Sequence, residues 1–182
     1  MNLSRRTILT AAPLGILAIA AGCSTTTSTL TPAEILTDAG AVVSGLANGL
    51  NAIKSSPLLV PYAALIAKIE GYLADATAAV AGLNTGLPAA TGASIVQQIE
   101  NDINDVLSVA TAPPLGTLIP APFSTALGMA SVVLPVLEAF VNQYLPTKAA
   151  SLAAVSGQIR ARALAPAGLT VAQAVAGLQS IK

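Results

Sequence analysis

Apolar residues recur at steps of three and four along most of the chain, the spacing of amphipathic helices. The first such stripe covers residues 35–53. Residues 31–34, Thr-Pro-Ala-Glu, precede it and form a capping-box pattern, in which Thr31 and Glu34 satisfy each other's free backbone N–H groups. The pattern therefore predicts a first helix that begins after Thr31 and ends near Lys54.

Two further stripes predict the second and third helices. Ser56 and Pro57 have the form of a second cap, and Leu58 opens a stripe that continues to Leu83. Residues 84–91, with Gly and Pro nearby, interrupt it. In the third stripe the apolar positions between residues 95 and 110 share one face, and the opposite face carries Gln97, Gln98, Asn101, Asn104 and Asp105.

The fourth predicted helix, about residues 123–145, is apolar all around its axis. Such a helix is either buried centrally or exposed to lipid. It overlaps an uncharged stretch, residues 106–137, that contains five prolines. Because prolines would leave backbone groups unsatisfied in a bilayer, the pattern favours a central helix preceded by a Pro-rich loop over a membrane span.

Two shorter helices are predicted near the end. Thr147 can cap one that extends to about Leu164, with Ile159 among its inward residues and Arg160 and Arg162 outward. Residues 170–173, Thr-Val-Ala-Gln, repeat the capping-box pattern before the last helix. No run of alternating β-branched residues predicts a strand, so the expected fold class is all-α, an antiparallel bundle of five to six helices.

The composition restricts which catalytic sites, metal sites and partners the chain can have. Apolar residues make up 54% of the chain and charged residues 9%, which excludes a disordered polypeptide. The chain has no His and one Cys, so the familiar zinc sites and His-dependent catalytic triads are absent. Its net charge is zero, which gives no electrostatic footprint for nucleic acid. We therefore expect a protein without catalytic activity, metal, organic cofactor or nucleic-acid partner.

Two local patterns allow more than one interpretation. Glu100, Asp102 and Asp105 lie within two predicted turns and could share acid-base chemistry, but their positions around the helix favour a solvated surface. Gly45 and Gly49 follow Ala41 at steps of four in the first helix. Such small residues permit close helix packing, either inside the chain or between two copies of it.

The N-terminus has the organisation of a targeting segment. Arg5 and Arg6 form a short cationic start, and residues 7–22 are uncharged. Sixteen residues of helix span only about 24 Å, less than the roughly 30 Å of a bilayer core. A permanent transmembrane helix is therefore the weaker interpretation.

Residues 4–9, Ser-Arg-Arg-Thr-Ile-Leu, resemble the twin-arginine translocation signal, and ordinary secretion is the alternative. Ala20-Ala21-Gly22-Cys23 resembles a bacterial lipobox. This resemblance implies cleavage between Gly22 and Cys23 and acylation of Cys23 by a palmitate-type chain. Ser24 is similar to the residue found in lipoproteins that reach the outer membrane, which would apply in a diderm bacterium.

These segments divide the chain into a cleaved signal peptide (residues 1–22), a lipidated Cys with a Ser/Thr tether (residues 23–30) and one helical domain (residues 31–182). The expected function is an envelope lipoprotein on the periplasmic side of a membrane, with a binding or scaffolding role. It would contact the membrane through its anchor, and a protein partner or a second copy through helix faces. The alternative is a carrier of an apolar ligand, which would need an enclosed cavity of roughly 300 Å³ or more.

Overall fold

The computed structural model describes residues 31–83, 86–145 and 152–182, and of residues 152–156 it describes the backbone alone. Over these ranges the chain forms six α-helices, two short 3-10 helices and no strand. The helices are α1 (Pro32–Ile53), α2 (Ala63–Ala81), α3 (Ala89–Thr111), α4 (Phe123–Tyr144), α5 (Leu152–Arg162) and α6 (Val171–Ser180), and the 3-10 helices are Pro57–Tyr62 and Leu115–Thr117. The predicted all-α helical bundle is confirmed.

Both predicted capping boxes are present. The backbone N–H of Thr31 donates to Glu34 Oε2 at 2.6 Å, and the N–H of Glu34 donates to Thr31 Oγ1 at 3.3 Å. At α6 the N–H of Thr170 donates to Gln173 Oε1 at 3.0 Å, and the N–H of Gln173 donates back to Thr170 Oγ1 at 3.3 Å. These bonds satisfy N–H groups that have no partner inside the helix, so α1 and α6 begin where the sequence predicts.

Helix α4 lies in the centre of the bundle. It packs against α1, α3, α5 and α6, and it buries a wide face that includes Leu134 and Val133. It begins beside Gly49 of α1 and packs along that helix, so the two run antiparallel. The fourth predicted helix, for which a membrane span was the alternative, is thus the core helix of the bundle. This agrees with the interpretation that the prolines favour.

The small residues of α1 allow close packing inside the chain. A Cβ added at Gly45 would lie 2.7 Å from Leu178 Cδ2 of α6. One added at Gly49 would lie 3.2 Å from the Cα of Phe123, the first residue of α4. This face of α1 is therefore occupied by the chain's own helices, which confirms the intramolecular alternative for these glycines.

Helix α5 is oriented differently from the prediction. Ile159, expected inward, is 66% exposed, whereas Ala161 is fully buried. Gly157 explains the difference, because a Cβ there would lie 3.2 Å from the backbone nitrogen of Ser108 in α3. The small residues Gly157 and Ala161 therefore face α3, and Ile159 points away. The predicted cap, Thr147, lies outside the described residues.

Helix α5 also buries a residue that was expected on a polar surface. Asn104 of α3 is buried, and its Oδ1 accepts a hydrogen bond from Gln158 Nε2 at 2.9 Å. Asn104 Nδ2 donates to Glu100 at 3.4 Å. The stripe of α3 was predicted correctly, but a second helix covers part of the other face. Buried polar groups need hydrogen-bond partners, and the side-chain amide of Gln158 is such a partner for Asn104.

The second predicted helix is divided into two elements. Residues 57–62 form a 3-10 helix, and α2 begins only at Ala63. Pro61 lacks the N–H that an α-helix beginning at Pro57 would require at this position, and its ring would crowd the preceding turn. Ser56 makes no side-chain capping bond. Leu58 was expected on the apolar stripe and is instead exposed.

Candidate functional site

The 3-10 helix Pro57–Tyr62 exposes two large aliphatic side chains, and we name it the apolar tip. Leu58 is 64% exposed and Val60 is 70% exposed, whereas Leu59 between them is buried in the core. Leu59 thus fixes the turn to the bundle while its two neighbours point to solvent. An exposed apolar patch of this kind is typical of an interaction site.

The outer surface of α2 continues this patch. Two described stretches are long and apolar enough to cross a membrane by length and composition, Pro57–Ala81 and Phe123–Tyr144. Their burial differs sharply: within an 18-residue apolar window of each stretch, 56% of the residues are buried in the second but only 22% in the first. Residues exposed along α2 are mostly small and uncharged: Ala64, Ala67, Gly71, Ala74 and Ala78. Of the two apolar stretches, Pro57–Ala81 is therefore the one that the rest of the bundle leaves largely uncovered.

A groove of about 520 Å³ lies between α1 and α2 and opens to solvent. Leu50 and Leu73, both nearly inaccessible, form its floor. Its remaining lining is small or polar: Ala47, Asn51, Glu70, Ala74, Thr77, Ala78 and Ala81. The groove is an open cleft rather than an enclosed cavity.

One ion pair borders the groove. Lys54 Nζ lies 3.3 Å from Glu70 Oε1, and both side chains are nearly half exposed. Exposed pairs of this kind contribute only about 0–1 kcal/mol, so this one positions the two side chains more than it stabilises the fold. On the other side of α2, Lys68 Nζ lies 5.7 Å from the centre of the Tyr72 ring.

No two of the three carboxylates of α3 form an acid-base pair of the kind that catalysis uses. Glu100 accepts from Asn104, and Asp105 is exposed. Asp102 is half-buried, and within the described ranges nothing donates to its Oδ2 atom. Burial raises the pKa of Asp102, and the carboxylates of Asp75 and Asp105 raise it further. These surroundings disfavour ionisation of Asp102. They do not place a proton donor or acceptor beside a cleft.

The described side chains offer few ligands to a metal. Within those ranges no three His, Cys, Asp or Glu residues come together in a geometry that could hold an ion. What the arrangement provides is apolar contact surface: a tip, a small-residue helix surface and a cleft beside it. These features can bind a complementary apolar surface.

The predicted export and anchoring residues, Arg5, Arg6, Gly22 and Cys23, lie outside the described residues. The described chain begins at Thr31, the N-cap of α1. No protein-family model, curated protein or solved structure gives a significant match to this chain.

Neither the tip nor the groove was predicted from the sequence. A signal for the tip was present: Pro57 and Pro61 enclose Leu58, Leu59 and Val60, and prolines four residues apart do not fit a regular α-helix. The groove had no comparable local signal, because it depends on the distance between α1 and α2.

Proposed function

We propose that this chain is a bacterial envelope lipoprotein, anchored through Cys23 on the periplasmic side of a membrane, whose helical domain acts by binding or scaffolding. The anchor is inferred from the lipobox-like residues 20–23 and from the uncharged stretch before them. Residues 24–29, Ser-Thr-Thr-Thr-Ser-Thr, are polar and suited to a flexible tether. In a diderm bacterium, Ser24 favours the outer membrane.

The binding role is supported by one observation above all, the exposed apolar surface of Pro57–Ala81. An interface needs apolar area that is accessible before the partner arrives, and Leu58 and Val60 provide it at the tip. Catalysis would instead need a nucleophile or carboxylate pair tuned by its surroundings beside a cleft. The half-buried Asp102 has no such position in the described bundle.

The groove between α1 and α2 favours one second candidate, a carrier of an apolar ligand. Its volume of about 520 Å³ is large enough for a small molecule, and Leu50 and Leu73 would contact the ligand from below. Because the groove is open to solvent, this is the weaker candidate, since carriers bury most of the ligand surface. Solvent extraction of the native protein separates the two: a stoichiometric apolar compound supports the carrier, and its absence supports the binding module.

Fractionation of cells that express the full chain tests the anchor. We expect the native protein to incorporate labelled palmitate and to sediment with membranes. Cys23→Ser removes the acylated sulfur, so this variant should take up no label. A native protein that stays unlabelled and is released in the soluble fraction would contradict the proposed anchor.

A further inference from the structure

We propose that the surface formed by the apolar tip and α2 binds a second copy of the chain, giving an antiparallel dimer with a two-fold axis near Gly71. This inference goes beyond the proposed function, because it assigns a specific partner to the exposed surface and does not require the lipid anchor. It also differs from association through the glycines of α1, since α4 and α6 already cover those residues.

Charge complementarity supports an antiparallel pairing of two α2 helices. Lys68 and Asp75 are seven residues apart, so they lie on the same flank of α2, separated by two turns or about 10.5 Å. Both are exposed, and they are too far apart to pair within one helix. In an antiparallel pair of helices related by a perpendicular two-fold axis, each flank of one helix lies next to the same flank of the other helix. Lys68 of each copy would then lie beside Asp75 of the other.

The centre of α2 permits the close approach that this arrangement needs. The helix spans Ala63–Ala81, so its midpoint falls next to Gly71. A Cβ added at Gly71 would meet no atom within 4 Å, which shows that this position faces open space. Ala67 and Ala74 flank it on the exposed surface. Small residues at a crossing point allow two helix axes to come within about 8 Å of each other.

The tip precedes α2 and the groove runs along its C-terminal half, from Glu70 to Ala81, which fits the same symmetry. Leu58 and Val60 precede the first residue of α2, whereas Ala78 and Ala81 line the groove near its last turn. Antiparallel packing brings the tip of each copy to the groove end of the other. A two-fold interface makes such a contact twice, so the tip of each copy meets the end of the other copy's groove near Ala81.

The symmetry is also compatible with anchoring to one membrane. The Lys54–Glu70 pair shows that the Glu70 flank of α2 faces α1, opposite the flank of Lys68 and Asp75. Because like flanks meet, both copies of α1 lie on the same side of the dimer. The two chains can therefore extend from Thr31 toward the same bilayer.

Disulfide trapping in intact cells tests the dimer with the full chain. Gly71→Cys should give a covalent dimer on mild oxidation, because two residues at the axis come within the roughly 7 Å that a disulfide requires. The unsubstituted chain, whose sole thiol is Cys23, and Ile159→Cys, an exposed site on α5, are the controls. Both should remain monomeric.

A charge exchange distinguishes this interface from chance collision. In the Gly71→Cys background, Lys68→Asp or Asp75→Lys alone should reduce the cross-linked fraction by about tenfold, since each places like charges together. The combined exchange restores opposite charges and should recover most of the dimer. Cross-linking as fast at residue 159, or a combined variant no better than the single ones, would overturn the proposal. A Gly71→Cys chain that forms no covalent dimer would overturn it too, and would indicate that lipid or a different protein covers this surface.

Discussion

A close backbone approach between α4 and the segment after α5 makes a sharp prediction about Gly128. This residue lies in α4, and a Cβ added to it would be 2.6 Å from the backbone nitrogen and 2.8 Å from the Cα of Ala165. Backbone atoms cannot rotate away as a side chain can. The segment after α5 would therefore have to move from α4 by several tenths of an ångström.

The expected size of the effect follows from two opposing terms. Overpacking costs up to about 3 kcal/mol when the neighbour is backbone, and replacing Gly by Ala inside a helix returns about 1 kcal/mol. Gly128→Ala should thus destabilise the domain by about 2 kcal/mol, a fall in Tm of about 4–8 °C at this size. Gly92→Ala is the matched control, because its added Cβ meets nothing within 4 Å. It should raise Tm by up to about 4 °C.

Thermal unfolding followed by circular dichroism measures both variants. A Gly128→Ala protein that unfolds at or above the temperature of the parent would refute the steric conflict with Ala165. A Gly92→Ala protein whose Tm falls as far as that of Gly128→Ala would refute it as well, because the space around the two positions would then be irrelevant.

Other contacts in the bundle and the signal segment lead to four more expectations. Leu134→Asp should abolish the helical circular dichroism signal, since Leu134 is fully buried and an unpaired core charge costs several kcal/mol; a folded variant would contradict the central position of α4. Gln158→Ala should destabilise by about 1–3 kcal/mol in chemical unfolding, because Asn104 Oδ1 loses its donor; an unchanged midpoint would refute this. Asp102→Asn should raise Tm near neutral pH, because the pKa of Asp102 is raised and the folded state disfavours its charge. That gain in Tm should shrink as pH falls through the raised pKa of the folded state toward the pKa of the unfolded state. A gain that grows on acidification would contradict a raised pKa for Asp102. Replacing both arginines of the signal by Lys should block export, measured by fractionation, if the twin-arginine route is used, whereas normal export would indicate general secretion.

Local patterns determined how much of the fold the sequence could predict. The capping boxes at Thr31 and Thr170 depend on residues three positions apart, so they mark the starts of α1 and α6 without reference to the rest of the chain. The stripe of α3 was equally clear. Pro61 is a local signal that the apolar spacing of the second stripe does not include, and it moves the start of α2 to Ala63.

The errors concern which helix covers which surface. The helical spacing predicts an inward Ile159 because large apolar residues usually face the core, but Gly157 and Ala161 allow α5 to approach α3 more closely on another face. That choice in turn buries Asn104, whose partner Gln158 lies 54 positions away. The groove between α1 and α2 has the same origin, since it is space left between two helices. Such features depend on long-range packing, which periodicity along the chain does not report.

Intact mass spectrometry of the native protein, purified from the membrane fraction, tests the proposed lipid-anchored binding protein most directly. We expect a mature chain that begins at Cys23 and exceeds the mass of residues 23–182 by the mass of its acyl groups. A chain that begins elsewhere, or one that begins at Cys23 with a free thiol and no added mass, would contradict the proposed anchor.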